Sequence, residues 1–161
     1  KWKYQNTKKI KLQSGIITSI KYINSLQLIA VGSSDGEMLL YNPKNGVTEF
    51  SDRKTHTSLI SSIDHRDNLI LTSSHDKKVV VWRFSTANKY DWQKQYLLHK
   101  DEVYNAKFIN DKYVISQGEK ETNYWTFSLD NLYNEIKINL KNQINFTKEE
   151  IDKYELFLTA E

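Results

Sequence analysis

The sequence contains no cysteine, which excludes a disulfide framework, a thiolate zinc site and a cysteine nucleophile. A single proline and five glycines exclude collagen-like and proline-rich linker classes. No apolar run approaches the roughly 20 residues that a membrane-spanning helix needs. Charge of one sign is also scarce. The net charge is +3, and the 20 lysines and 3 arginines are dispersed rather than concentrated as in a dedicated DNA or RNA binder. There is no glycine-rich phosphate loop and no paired-carboxylate pattern. The four histidines, His56, His65, His75 and His99, are too scattered to ligate a metal by spacing. No metal or cofactor site is therefore expected. What is present is core material. Four Trp, ten Tyr and six Phe stand in a chain that is 39% hydrophobic, which argues against general disorder.

A repeat organises the chain. Trp2-Lys3-Tyr4, Trp82-Arg83-Phe84 and Trp125-Thr126-Phe127 share one phase, and Tyr41-Asn42-Pro43 fits it. The anchors at 2, 41, 82 and 125 are 39, 41 and 43 residues apart. An acid lies six residues before three of them: Asp35, Asp76 and Glu119. His56 and His99 each lie 26 residues before a tryptophan. Agreement at several offsets is far stronger than one motif match. Short β-rich runs lie between the anchors. First strands are expected at 16–22, 59–65 and 103–108, second strands at 26–31, 69–73 and 112–116, and third strands at 37–41, 78–84 and 122–127. Weaker fourth strands are expected at 8–13, 47–51, 93–98 and 135–140. Ser33-Ser34-Asp35-Gly36 and Ser73-Ser74-His75-Asp76 supply turn chemistry between second and third strands.

Four short strands in about 40 residues is the arithmetic of a β-propeller blade. The run Ile70-Leu71-Thr72-Ser73-Ser74-His75-Asp76-Lys77-Lys78-Val79-Val80-Val81-Trp82 resembles the signature of a WD40 repeat, over a region of about residues 1–140. His56 and His99 stand where that family places its histidine. The sequence departs from the pattern in several places. Thr55 and Leu98 replace the glycine before each histidine, and Arg83 and Thr126 replace the aspartate after each tryptophan. The first unit has Gln13 or Gly15 at the histidine position, and Glu119-Lys120-Glu121 lacks a clear aspartate. The resemblance implies an all-β partial propeller of about three four-stranded antiparallel blades, at 14–54, 55–98 and 99–140. Residues 1–13 would end a preceding blade, and 141–161 would form a tail. Thr147 with Glu150 makes a capping box, and Ile151, Tyr154 and Leu158 share one face, so a short helix is expected over 148–157.

His56, Thr72, Asp76 and the nearby serines also invite a nucleophile-base-acid reading. A histidine that recurs in consecutive units favours a structural role, because an active site need not repeat. The resemblance implies a buried hydrogen-bond chain from the Trp82 indole through Thr72 and His56 to Asp76. His99, Ser116 and Trp125 would keep three of the four members. It also implies a non-catalytic scaffold or sensor that binds protein partners through its turn-end face, here Thr18, Ser34, Ser61, His75 and Tyr104. Tyr90 and Trp92 form a further aromatic pair, expected either at a binding site or in edge-strand packing. Nucleic acid and membrane are not expected partners, and a cytoplasmic location is. The tail is similar to those that end large bacterial WD-repeat proteins, some with an ATPase, TIR or caspase-like module upstream. Regulation of such an enzyme is thus one alternative; a nucleic-acid-binding propeller and a ring closed by copies of the chain are others. A ring needs at least four blades, so the chain, which opens at Lys1, is read as the C-terminal part of a larger protein.

Overall fold

A computed structural model describes residues 9–12, 14–84, 92–110 and 112–126. Among these residues eleven strands form three antiparallel sheets, each ordered as in the sequence. The first holds β1 (Ile17–Ile23), β2 (Leu28–Ser33), β3 (Met38–Asn42) and β4 (Val47–Asp52). The second holds β5 (Ile60–Arg66), β6 (Leu69–Ser74), β7 (Lys78–Phe84) and β8 (Trp92–Leu98). The third holds β9 (Val103–Phe108), β10 (Tyr113–Gly118) and β11 (Thr122–Thr126). This is an all-β, open run of propeller blades. Among the described residues there is no helix. The fourth strand expected at 135–140, the helix at 148–157, Trp2 and Tyr90 lie outside the described residues.

The strands form where β-branched and aromatic residues outnumber turn formers, and in the first two sheets the second and third strands carry near-continuous apolar runs because both their faces are covered. The strand expected over 8–13 is a correction: Lys9–Leu12 carries no strand. Its alternation survives, since Ile10 and Leu12 pack on Val31, Leu39 and Tyr41. One-sided apolar packing thus fixes the segment without a ladder. Turn geometry repeats as the sequence does. Gly36 takes φ +81 between β2 and β3, and Lys77 holds φ 70 at the corresponding place between β6 and β7. At Gly36 a Cβ would lie 2.5 Å from the His56 carbonyl oxygen, so this turn requires glycine twice over.

Successive sheets pack face to face. Ile23, Leu28, Ala30, Met38 and Leu40 of the first meet Ile60, Ile63, Ile70, Val80 and Trp82 of the second in one buried cluster. Polar bonds align this joint. Thr18 Oγ1 and Ser19 Oγ donate to the Ile60 carbonyl at 2.7 and 3.2 Å, and Lys21 pairs with Asp64 at 2.9 Å. The next joint repeats the device: Ser61 Oγ donates to the Val103 carbonyl at 2.6 Å, and Ser62 Oγ accepts from the Ala106 N–H at 2.9 Å. Asp64 belongs to both joints, because its other oxygen accepts from the Phe108 N–H at 3.1 Å.

Gly32 is the point of closest approach. A Cβ there would lie 2.4 Å from Ser19 Oγ and 2.6 Å from Ile60 Cγ2. Ile60 is fully buried and has little freedom to yield. Gly32→Ala is therefore expected to destabilise the chain by about 1–3 kcal/mol through overpacking, seen as a lower midpoint in urea unfolding.

Candidate functional site

The sharpest polar constellation lies inside the second sheet. Trp82, on β7, is completely buried, and its indole N–H donates to Thr72 Oγ1 on β6 at 2.8 Å. Thr72 Oγ1 lies 2.7 Å from His56 Nε2, and His56 Nδ1 lies 3.1 and 3.2 Å from the two oxygens of Asp76. The donors and acceptors close in one sense. The indole donates to the hydroxyl, the hydroxyl to Nε2, and the Nδ1 hydrogen to the carboxylate, which fixes the imidazole tautomer. Asp76 also accepts from the Thr57 and Lys78 N–H groups at 3.0 and 3.1 Å. Burial by itself would raise the Asp76 pKa. Its hydrogen bond to His56 and that ring's electrostatic pull, with the Thr57 N–H and Lys78, outweigh it and hold the carboxyl far below the usual range.

This arrangement has the members of a nucleophile-base-acid triad but not its exposure. Thr72 and His56 are 0% and 1% exposed, and no substrate atom can approach the hydroxyl. Its oxygen is held between an indole donor and an imidazole acceptor. The chain thus ties together the loop before β5, the strand β6, the β6–β7 turn and β7.

The third sheet repeats the motif with a substitution. Trp125 Nε1 donates to Ser116 Oγ at 2.6 Å, and His99 Nε2 lies 2.7 Å from the same oxygen. The fourth partner is Asn123, whose amide lies 3.3 Å from His99 Nδ1. Asn123 pairs in register with Ser116, as Val80 does with Thr72. The polar group therefore comes from a strand position rather than from the turn, where the repeat pattern looks for an acid. Burial lowers the His99 pKa, against the opposing pull of Glu121 and Asp101. In the first sheet the same positions are apolar: Val31 stands for Thr72 and Tyr41 for Trp82, and both are buried with Leu39.

A second cluster fastens the first joint at its outer edge. Lys94 Nζ sits 4.7 Å from the centre of the Trp82 ring and bonds Asp52 at 2.7 Å and Thr55 Oγ1 at 2.6 Å. Burial would raise the Asp52 carboxyl, but Lys94 and the Thr55 and Lys54 N–H groups bring it down to about 2. Trp92 packs on Phe50 at 4.6 Å and on Phe84 at 5.6 Å. It is therefore a packing residue of the edge strand.

Five residues are candidates for a binding surface, and their surroundings differ. The hydroxyls of Thr18 and Ser61 are held in the inter-sheet bonds given above. Ser34 Oγ donates to Asp35 at 3.0 Å and accepts from the Ile16 N–H at 3.1 Å. His75 and Tyr104 come together across the second joint, ring centres 5.1 Å apart and nearly perpendicular, with Glu102 3.3 Å from His75 Nδ1. Tyr104 is 41% exposed. Partial desolvation, followed by the carboxylates of Glu102, Glu119 and Asp101, raises its phenol pKa. Glu102 had no signal in the repeat pattern, since it sits in a loop of variable sequence. Among the described residues no group of three ligating side chains could hold a metal, and no helix is long and apolar enough to cross a membrane.

Sheets of this kind, joined face to face in sequence order, define a β-propeller. Residues 48–83 match the family model described as "WD domain, G-beta repeat". The chain thus carries a segment that matches a WD40 repeat, and its fold is that of a β-propeller. The matched segment runs from β4 through β7, so the sequence repeat takes the outer strand of one sheet with three strands of the next. Among solved structures, the β-propeller domain of Myceliophteria thermophila Cps50 (Swd1) is similar, with 16% identity and a TM-score of 0.56 over 72% of this chain. The computationally designed Ika8 protein is similar at 18% identity and a TM-score of 0.55 over 68%. The chain spans 40% of the first and 33% of the second. No curated protein sequence matches it.

Proposed function

We propose that this chain is a non-catalytic recognition module: a rigid part of a propeller that binds a protein partner through its turn-end surface. The observation that carries this reading is the fate of the reactive side chains. The hydroxyl, imidazole and carboxylate that could do chemistry are locked in a buried hydrogen-bond chain around Thr72. The accessible group at the turn end is instead an aromatic, imidazole and carboxylate cluster, His75, Glu102 and Tyr104, which can recognise but has no activated nucleophile. Ser34, Thr18 and Ser61 lie at corresponding turn and first-strand positions. Thr18 and Ser61 bond neighbouring sheets and the Ser34 hydroxyl is taken up by Asp35 and the Ile16 N–H, which leaves His75 and Tyr104 as the contacts of the surface. An exposed tyrosine beside a buried joint has the character of a binding hot spot.

The test is quantitative capture of partners by the wild-type chain and by Tyr104→Ala and Glu102→Lys. Both variants are expected to keep the wild-type circular dichroism spectrum and to lose the specifically captured protein. Retention of that protein by both would overturn the assignment of this surface. A fluorophosphonate probe is expected to leave Thr72 and Ser73 unlabelled in the folded chain.

A further inference from the structure

Two places in the chain set an acid or its amide directly before a glycine. Asp35-Gly36 lies between β2 and β3, and Asn45-Gly46 lies between β3 and β4. In such a pair the glycine backbone nitrogen can attack the preceding side chain, because it has no side chain of its own to shield it. The sequence treats the two sites alike, and the structure separates them.

Gly36 is buried, and the space beside it is closed by the His56 carbonyl oxygen, which a Cβ would meet at 2.5 Å. Its peptide has no freedom to turn toward the Asp35 carboxylate, which accepts from Ser34 Oγ at 3.0 Å. A carboxylate is in any case a poorer electrophile than an amide. Asn45 and Gly46 are both exposed. A Cβ at Gly46 would meet only the Tyr41 hydroxyl, at 3.4 Å. The turn leads into β4, an edge strand, and no further strand covers it among the described residues.

The Asn45 side chain is already aimed. Its Oδ1 accepts from the Val47 N–H at 3.0 Å, which carries the side-chain amide across Gly46. The same N–H stands where negative charge develops on Oδ1 when the amide carbon is attacked. One bond opposes the reaction: the Gly46 N–H donates to the Asn42 carbonyl at 2.8 Å. It must open first, and in an exposed turn beside an edge strand that opening is local.

We propose that Asn45 is a self-modification site, converting to aspartate and isoaspartate in the folded protein. Hydroxide takes the Gly46 amide proton, and the nitrogen attacks Asn45 Cγ. The Cγ–Nδ2 bond breaks, and Nδ2 takes a proton from water and leaves as ammonia. A water molecule then opens the five-membered imide. Opening at Cγ gives aspartate, and opening at the backbone carbonyl carbon gives isoaspartate. One water is consumed and one ammonia released. Either product lowers the net charge of +3 by one. Isoaspartate also adds a carbon to the main chain, which displaces the Asn42–Val47 pair at the end of the β3–β4 ladder. This chemistry is independent of the turn-end cluster.

Peptide mapping by mass spectrometry decides the matter, on the full 161-residue chain held at mildly alkaline pH, folded or in urea. The Asn45 peptide of the folded chain is expected to gain about 1 Da and to split into two chromatographic species, at a rate within about tenfold of that in urea. The rate should rise in proportion to hydroxide. The Asp35 peptide is expected to form isoaspartate in urea alone. Asn45→Ser keeps an acceptor for the Val47 N–H but has no amide to lose, so its peptide should stay unchanged. The proposal is overturned if Asn45 stays intact in the folded chain over the time that converts it fully in urea. It is overturned equally if folded Asp35 isomerises as fast as Asn45 reacts, or if the Asn45→Ser chain forms as much isoaspartate as the wild type.

Discussion

Trp82→Ala is expected to lower the unfolding free energy by about 3–5 kcal/mol, the range for removing a large aromatic from a core. Three losses coincide at this position. A completely buried indole leaves a cavity between the first and second sheets, edge-on to Phe50 and Trp92. Thr72 Oγ1 loses its donor, and Lys94 loses the ring beneath its ammonium group. Domains are commonly stable by only about 5–15 kcal/mol, so this change removes a large share of the whole. Trp82→Phe separates the contributions. It keeps most of the packing and removes the indole N–H, and it should destabilise by about 1–3 kcal/mol, the penalty for an unmade buried hydrogen bond. Urea unfolding followed by circular dichroism measures both. Equal stability of the two variants would show that cavity formation contributes nothing here.

The second large effect concerns Asp76. Asp76→Ala should destabilise by about 3–5 kcal/mol, because it strips the partner from a buried ring and its neighbouring N–H groups. The His56 Nδ1 hydrogen and the Thr57 and Lys78 N–H groups would all be left without their acceptor. The pH dependence follows from the direction of the shift. The folded-state pKa of Asp76 lies below its unfolded value of 3.8, so its contribution is complete above that value. It is lost as the pH falls toward the folded-state pKa. Asp52, brought down to about 2, acts in the same direction. Wild-type stability should therefore decline on acidification below about pH 4. Asp76→Asn, which cannot titrate, should start lower at neutral pH and decline less steeply. Unfolding free energies measured from neutral pH to pH 3 would reveal parallel curves if the aspartate were not linked to folding.

Much of this was legible in the sequence because the chain repeats itself. The Trp82 and Trp125 anchors set the phase, and alternation between turn residues placed every described strand to within about two residues. The four residues His56, Thr72, Asp76 and Trp82 were legible through the resemblance to a WD40 repeat, which lies within one unit. What could not be read depends on contacts between units. Asn123 sits on a strand at the place of Val80, and only the fold shows that its amide reaches His99. Gly32 looks like an ordinary strand glycine until Ile60 is brought against it. The hydroxyls of Thr18 and Ser61 read as exposed from their place near strand starts, yet the neighbouring sheet consumes their hydrogen bonds. Residues 9–12 show the opposite error, an alternation with a packed face but no ladder partner.

The shared carboxylate of Asp64 bears on how the array comes apart. A linear stack of repeats can melt one unit at a time when each interface is independent. Here one side chain on β5 holds Lys21 behind it and the Phe108 N–H ahead, so the two interfaces have a common pin. Losing either sheet releases a ligand of the same oxygen pair and loosens the strand the other rests on. Fraying of one joint is thereby expected to loosen the other, so the three sheets should unfold in a single transition rather than as separable modules.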